Sequence, residues 1–127
     1  MAADYKGRNV VVTGAPTGLG RAIALGAARE GAEAVIVNYA HNEQEAQVTA
    51  SLVRAAGVQA VLAQGDVALD PDCHRIVAAP ASFGRTDVLF NNAGTSKIVS
   101  YQDLGGLDAE DFLRIYRVNV VGPYQMI

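Results

Sequence analysis

Two hydrophobic periods alternate along the chain. "NVVVT", Asn9 to Thr13, is a continuous β-branched run, the pattern of a strand buried on both faces. "GRAIALGAAREG", Gly20 to Gly31, places Ile23, Ala27 and small residues on one helical face and ends on a glycine stop. "AVIVNY", Ala34 to Tyr39, is a second buried strand. Asn42 to Gly57 reads as a helix, with Asn42 as N-cap, acids in the first turn, and Ala46, Val48, Leu52 and Val53 as apolar surface. A third strand is expected over Gln59 to Gln64. A further helix is expected from Asp70 toward Phe83, with Asp70 and Pro71 as cap and N1 and with Pro80 breaking it early. Val88 to Asn91 is a fourth strand, and a polar loop runs on to Leu107.

The last segment, "LDAEDFLRIYRVNVVGPYQMI", opens on Asp108 as N-cap with acids at Glu110 and Asp111. It predicts a helix whose inner face is Phe112, Ile115, Tyr116 and Asn119. Strand and helix alternating four times imply an α/β fold with a parallel sheet and right-handed crossovers. Four strands complete the first half of a doubly wound sheet and begin the second. The chain therefore reads as the first part of one domain, truncated after about four strands and within a central helix.

Composition narrows the class. Half of the residues are hydrophobic, 6% are aromatic, and there are 13 glycines, a mixture suited to close helix–sheet packing. With a net charge of -3 and lysine only at Lys6 and Lys97, nothing points to nucleic acid or an anionic membrane. Cys73 is the single cysteine, so no internal disulfide forms and a reducing cytoplasm is the expected compartment. No apolar run reaches the length of a membrane span. His41 and His74 lack partners at ligand spacing, and no metal is expected. Cys73 is expected to be a small buried residue, and Arg21 a surface or interhelix ion-pair residue.

The candidate chemistry lies in "VVVTGAPTGLGRAIA". Gly14, Gly18 and Gly20 fall between the first strand and the first helix. A sharp strand-to-helix turn favours residues free to take positive φ. A backbone that approaches a pyrophosphate excludes a Cβ, and the helix N-terminus offers free N–H groups to the anion. In this context the triplet indicates dinucleotide binding. About 20 residues on, where an acid bonds a ribose 2′-hydroxyl in NAD sites, stand Asn38 and Tyr39. The missing carboxylate, with His41 close by, favours NADP(H) over NAD(H).

These residues resemble the classical short-chain dehydrogenases/reductases. Thr13-Gly14-Ala15-Pro16-Thr17-Gly18-Leu19-Gly20 matches the family's TGxxxGxG, Asp66-Val67 its Asp-Val, and Asn91-Asn92-Ala93-Gly94 its NNAG, while Asn119 sits where the family places an active-site asparagine. The resemblance implies a Rossmann-type sheet, with residues 1–127 as the N-terminal dinucleotide-binding part. It implies Gly14, Thr17, Gly18 and Leu19 at the pyrophosphate, Asn38 and Tyr39 at the adenosine ribose, and Asp66 and Val67 at the adenine. Asn92, Ala93 and Gly94 would lie under the cofactor, with Asn91 a structural hydrogen-bonder. Where NADP-using relatives often carry a basic residue, this chain has Thr17.

The family also uses a Ser and a Tyr-x-x-x-Lys. Four residues after Tyr5, Tyr39, Tyr101 and Tyr116 stand Asn9, Glu43, Gly105 and Val120, and no such position follows Tyr124. The set is expected beyond Ile127, so the 127 residues alone should be inactive. The implied function is NAD(P)-dependent hydride transfer with a small carbonyl or alcohol substrate, in a homodimer or homotetramer. A non-catalytic NADP(H)-binding module and a ligand-free scaffold are the alternatives. Asn119 is expected to face the sheet. Pro123 has no N–H to give the Asn119 carbonyl four residues back, and the freed carbonyl would hold a water leading to the family's lysine.

Overall fold

The computed structural model describes residues 4–127. Strands β1 (Asn9–Val12), β2 (Ala34–Tyr39), β3 (Gln59–Gln64) and β4 (Val88–Phe90) form a parallel sheet in the order β3-β2-β1-β4. The chain steps outward from β1 to β3, then crosses back to set β4 on the far side of β1. That reversal is the switch point of a doubly wound sheet, where ligands bind beyond the carboxyl ends of the strands.

Two apolar layers follow from strand alternation. Val10, Val12, Val35 and Val37 face helices α1 (Gly18–Arg29) and α2 (Glu43–Ala55) through Ala24, Ala27, Ala46, Ala50 and Val53. Val11 and Ile36 face the other way, onto Cys73 and Ile76 of helix α3 (Asp70–Ala78) and onto Met126. Because α1 presents Gly20, Ala24, Ala27 and Ala28 to the sheet, it lies close to the strands.

The termini follow the sequence cues in most places. The Asn42 carboxamide oxygen accepts the Glu45 N–H at 3.3 Å, capping α2. At Pro80, α3 gives way to a 3-10 turn, Ala79–Phe83. Asp108 caps helix α4 (Ala109–Tyr116) in a reciprocal box with Asp111, at 2.9 and 3.1 Å. At α3, however, Leu69 is the N-cap and Asp70 the first helical residue. The first turn is instead organised by Asp72, which accepts the Asp66 N–H at 2.8 Å. The Asp72 carboxyl is held below its usual range by that backbone bond and then by Arg75.

The final segment departs further. After α4 the helix widens into a π turn, Arg117–Val121, with the Gly122 N–H reaching back to the Arg117 carbonyl, and then continues as α5 (Gly122–Met126). Pro123, which cannot donate an α-helical bond, sits at the rejoining point. Phe112 and Tyr116 are exposed and only Ile115 of the expected inner face is half-buried; Asn119 is exposed as well. The docked residues are Val118, Gly122 and Met126 instead. The physical reason is that α5 packs on α3, so the face carrying Val118, Gly122 and Met126 is the one that is covered. Among the described residues no helix is long and apolar enough to cross a membrane.

Candidate dinucleotide site

An open cleft of about 490 Å³ lies beyond the carboxyl ends of all four strands. Its walls come from the turn after β1 (Gly14, Pro16, Thr17), the end of β2 (Asn38 to Asn42), the end of β3 (Gly65 to Val67), the segment after β4 (Ala93 to Thr95), and Arg114 and Val118. Cys73 lies outside it, fully buried, with its thiol pushed up by burial. Among the described residues no three His, Cys, Asp or Glu side chains gather as a metal site.

The three glycines of the turn serve three different needs. Gly14 has φ 62°, and a Cβ there would stand 2.8 Å from the Ala93 Cα. Gly20 has ordinary helical backbone, but a Cβ would run into the Gly14 carbonyl and approach the Asn92 Nδ2 within 2.6 Å. Gly18 has φ 56° and open space around it. Gly14 and Gly20 therefore make room for the protein's own backbone, and Gly18 alone leaves the loop surface bare. Helix α1 begins at Gly18 with Thr17 as N-cap and no side chain bonded into its first turn, which leaves N–H groups available to an anion.

Polar side chains hold this turn in place. The buried Thr13 hydroxyl accepts the N–H groups of Asn92 at 3.0 Å and Ala93 at 2.9 Å. Asn92 returns its side-chain amide to the carbonyls of Thr13 and Gly14 at 3.0 and 2.9 Å. Asn38, also buried, accepts the Gly14 N–H at 3.1 Å and donates to the Ala63 and Gly65 carbonyls at 3.0 and 3.1 Å. These bonds join the ends of all four strands.

A family model described as short chain dehydrogenase matches residues 8–127. The chain belongs to the short-chain dehydrogenase family. L-rhamnose 1-dehydrogenase (NAD(P)(+)) of Sphingomonas sp. strain SKA58 is 40% identical over 124 residues, covering 96% of this chain and 47% of that protein. L-rhamnose 1-dehydrogenase (NADP(+)) of Thermoplasma acidophilum is 34% identical over 122 residues, covering 95% of this chain and 46% of that protein. A crystal structure from Burkholderia xenovorans, described as of short-chain dehydrogenase/reductase type, superposes with a TM-score of 0.86 at 34% identity, covering 94% of this chain and 49% of that one. The chain thus spans about half the length of the curated relatives it matches.

Set against this family's pattern, Gly14, Thr17, Asn38, Tyr39, Asp66, Val67, Ala93 and Gly94 all line the cleft, whereas Gly18, Leu19 and Asn92 do not. Leu19 is 70% exposed and points away from the core. The side-chain amides of Asn38 and Asn92 are committed to backbone carbonyls. Asn91, expected as a structural hydrogen-bonder, is exposed and donates to the Pro123 carbonyl at 3.3 Å, while the strand ends are tied by Asn92. Asp66 is partly buried and accepts the Ala68 N–H at 2.9 Å, which fixes its carboxylate at the end of β3. Tyr39 is buried, with its phenol pushed up first by burial and then by Glu43.

Asn119 sits beside the cleft without lining it. Its amide oxygen accepts the Thr95 N–H at 2.8 Å and its nitrogen donates to the Thr95 carbonyl at 2.9 Å, so the amide that was expected to face the sheet holds a loop instead. The sequence pattern did not reveal Arg114 or Val118, and it gave Thr13 a place in the family motif but no role. Arg114, which donates to the Thr95 hydroxyl at 2.9 Å, and Val118 are four residues apart and share one helical face. That spacing is the signal, masked by the stronger Phe112–Tyr116 apolar pair. Arg21 makes the expected interhelix ion pair, with Glu45 at 2.7 Å.

Proposed function

We propose that this chain is the dinucleotide-holding part of an NAD(P)-dependent oxidoreductase that moves hydride between nicotinamide and a small carbonyl or alcohol substrate. The observation that carries this reading is the cleft at the switch point, lined by Thr17, with the uncapped α1 N-terminus and the bare Gly18 surface next to it in the chain. Those N–H groups and the helix dipole suit a pyrophosphate. Bound there, the nicotinamide would supply the hydride carrier.

The chain's own residues divide the work of binding. Thr17 and Gly18 meet the pyrophosphate. Asp66, fixed by the Ala68 N–H, accepts from the adenine amino group, with Val67 packed alongside. Ala93, half-buried, and Gly94, exposed, are small and leave room beneath the cofactor, and Tyr39 borders the ribose. From the end of β2 onward the lining is Asn38, Tyr39, Ala40, His41 and Asn42, none of them a carboxylate, and on that ground NADP(H) is favoured over NAD(H). Two relatives are named as NAD(P)- or NADP-dependent dehydrogenases, which supports a nicotinamide cofactor. Asn119 acts by position, its carbonyl denied the Pro123 N–H and available to hold a water.

No Tyr in these 127 residues has a Lys four positions on, so they bind without turnover. Association into a homodimer or homotetramer, in the cytoplasm, completes the reading. Exposed Phe112, Tyr116 and Tyr124 along the last helical segment support the first point, and the unpaired Cys73 thiol supports the second. Calorimetric titration with NADPH and NADH tests the binding claim, and incubation with NADPH and a panel of carbonyl compounds tests the lack of turnover. Saturable binding with NADPH tighter, and no oxidation above blank, is the expected result. Absence of binding to either dinucleotide overturns the proposal.

A further inference from the structure

The outer side of the glycine turn is gripped by a cluster that the binding reading does not require. Thr49, fully buried on α2, has its hydroxyl 3.0 Å from both the Ala15 and the Pro16 carbonyls. The same oxygen accepts the Arg21 Nε–H at 2.9 Å. Arg21 reaches across from α1 and gives its Nη2 to the Pro16 carbonyl, to the Glu45 carbonyl at 3.2 Å, and to the Glu45 carboxylate at 2.7 Å. A hydroxyl with one proton and a planar guanidinium with a fixed fork thus converge on a single carbonyl.

The consequence lies on the other side of the peptide. In a trans peptide the carbonyl and the following N–H point in opposite directions, and no described peptide bond here is cis. Holding the Pro16 carbonyl against α2 therefore turns the Thr17 N–H away from α2, and Thr17 is one of the residues that line the cleft. A flipped peptide would present a carbonyl oxygen to an anion in place of a donor. Pro16 has no N–H of its own, so the Thr17 amide is the donor this stretch of turn depends on.

We infer that Arg21, Thr49 and Glu45 form a latch that positions the glycine turn for the dinucleotide pyrophosphate. They act through the Pro16–Thr17 peptide and touch no ligand themselves. The inference rests on the binding function proposed above. It adds α2 to the phosphate site, since the latch also ties the turn to the helix whose N-terminal Asn42 borders the cleft.

Paired titrations separate this role from a general contribution to folding. NADPH carries the pyrophosphate, whereas adenosine 2′-monophosphate carries only the adenosine end. Thr49→Val keeps the side-chain shape and removes both hydroxyl functions, Thr49→Ser restores them, and Arg21→Gln removes the fork at a partly exposed site. Thr49→Val and Arg21→Gln should each weaken NADPH binding about tenfold, the loss that goes with one charge-assisted hydrogen bond. Affinity for adenosine 2′-monophosphate should stay at the wild-type value, and Thr49→Ser should recover NADPH affinity. NADPH affinity unchanged in Arg21→Gln, or equal losses for both ligands, overturns the latch; Arg21→Gln decides the matter should Thr49→Val not fold. A wild-type chain that binds no dinucleotide removes the underlying reading and the latch's role together, an outcome distinct from variants that bind as wild type does.

Discussion

Val10, Val11, Val12, Val35, Ile36 and Val37 are entirely shielded from solvent, whereas Phe112, Tyr116 and Val120 are 64%, 58% and 49% exposed. The first group belongs to strands covered by helices on both sides. The second belongs to the segment beyond β4, where a polar loop and a helix are held by a handful of side-chain bonds: Asn119 and Arg114 to Thr95, and Lys97 to Asp111 at 2.6 Å. One side owes its shape to excluded volume and buried area, the other to directional polar clasps. Both border the same cleft, so its β1–β2–β3 wall is rigid by packing and its Thr95–Arg114 wall is rigid only as far as those clasps hold.

The sharpest way to break that contrast is in the core. Ile36→Ala should cost about 2–5 kcal/mol in a denaturant melt, because Ile36 is fully buried between sheet and α3. Gly14→Ala should follow at about 2–4 kcal/mol, combining a left-handed backbone with a Cβ pressed on Ala93. Thr13→Val should cost about 1–3 kcal/mol by orphaning two N–H groups, and it should loosen Asn92 and Ala93 in amide exchange. Phe112→Ala, on the open side, should stay within about 0.5 kcal/mol. A loss at Phe112 comparable to that at Ile36 would erase the distinction.

The smallest effect is read by lowering the pH. The Asp72 and Asp87 carboxyls are lowered first by backbone N–H groups, those of Asp66 and Asn9, while Asp111 is lowered first by Lys97. A folded pKa below the unfolded one adds stability that is complete above the ordinary carboxylate range, about pH 3.9, and is lost as pH falls from there through the lowered folded value. Melting curves below pH 4 should therefore fall less steeply in Asp72→Asn and Asp111→Asn than in wild type. In about 1 M salt, where screening reaches about 3 Å, the Asp111 share should shrink more than the Asp72 share. Equal salt sensitivity at both positions would show that the two sides are held alike.

Much of the compact side was legible from the residue order. A run such as "VVV" or "AVIV" has to be covered on both faces, and glycine or proline marks where each element must stop, so the four strands and three intervening helices followed. Small errors came at ends where a side chain was occupied elsewhere, as when Asp72 rather than Asp70 organised the start of α3. The open side was read less well. The apolar pair Phe112 and Tyr116 suggests an inner face, but which face of a helix is inner depends on what packs against it, and the contact of α5 with α3 turns Val118, Gly122 and Met126 inward instead.

The same division runs through the site. Glycine spacing, the Asp-Val and Asn-Asn-Ala-Gly motifs and the family they indicate are local properties of the chain, because backbone freedom and side-chain size act within a turn. That Gly20 makes room for Asn92, that Asn38 and Asn92 expend their amides on backbone, and that Arg21 reaches Thr49 and Glu45 depended on partners far away in sequence. Hydrogen-bond partners of that kind are chosen by three-dimensional proximity, which only the packing of α1 and α2 on the sheet decides.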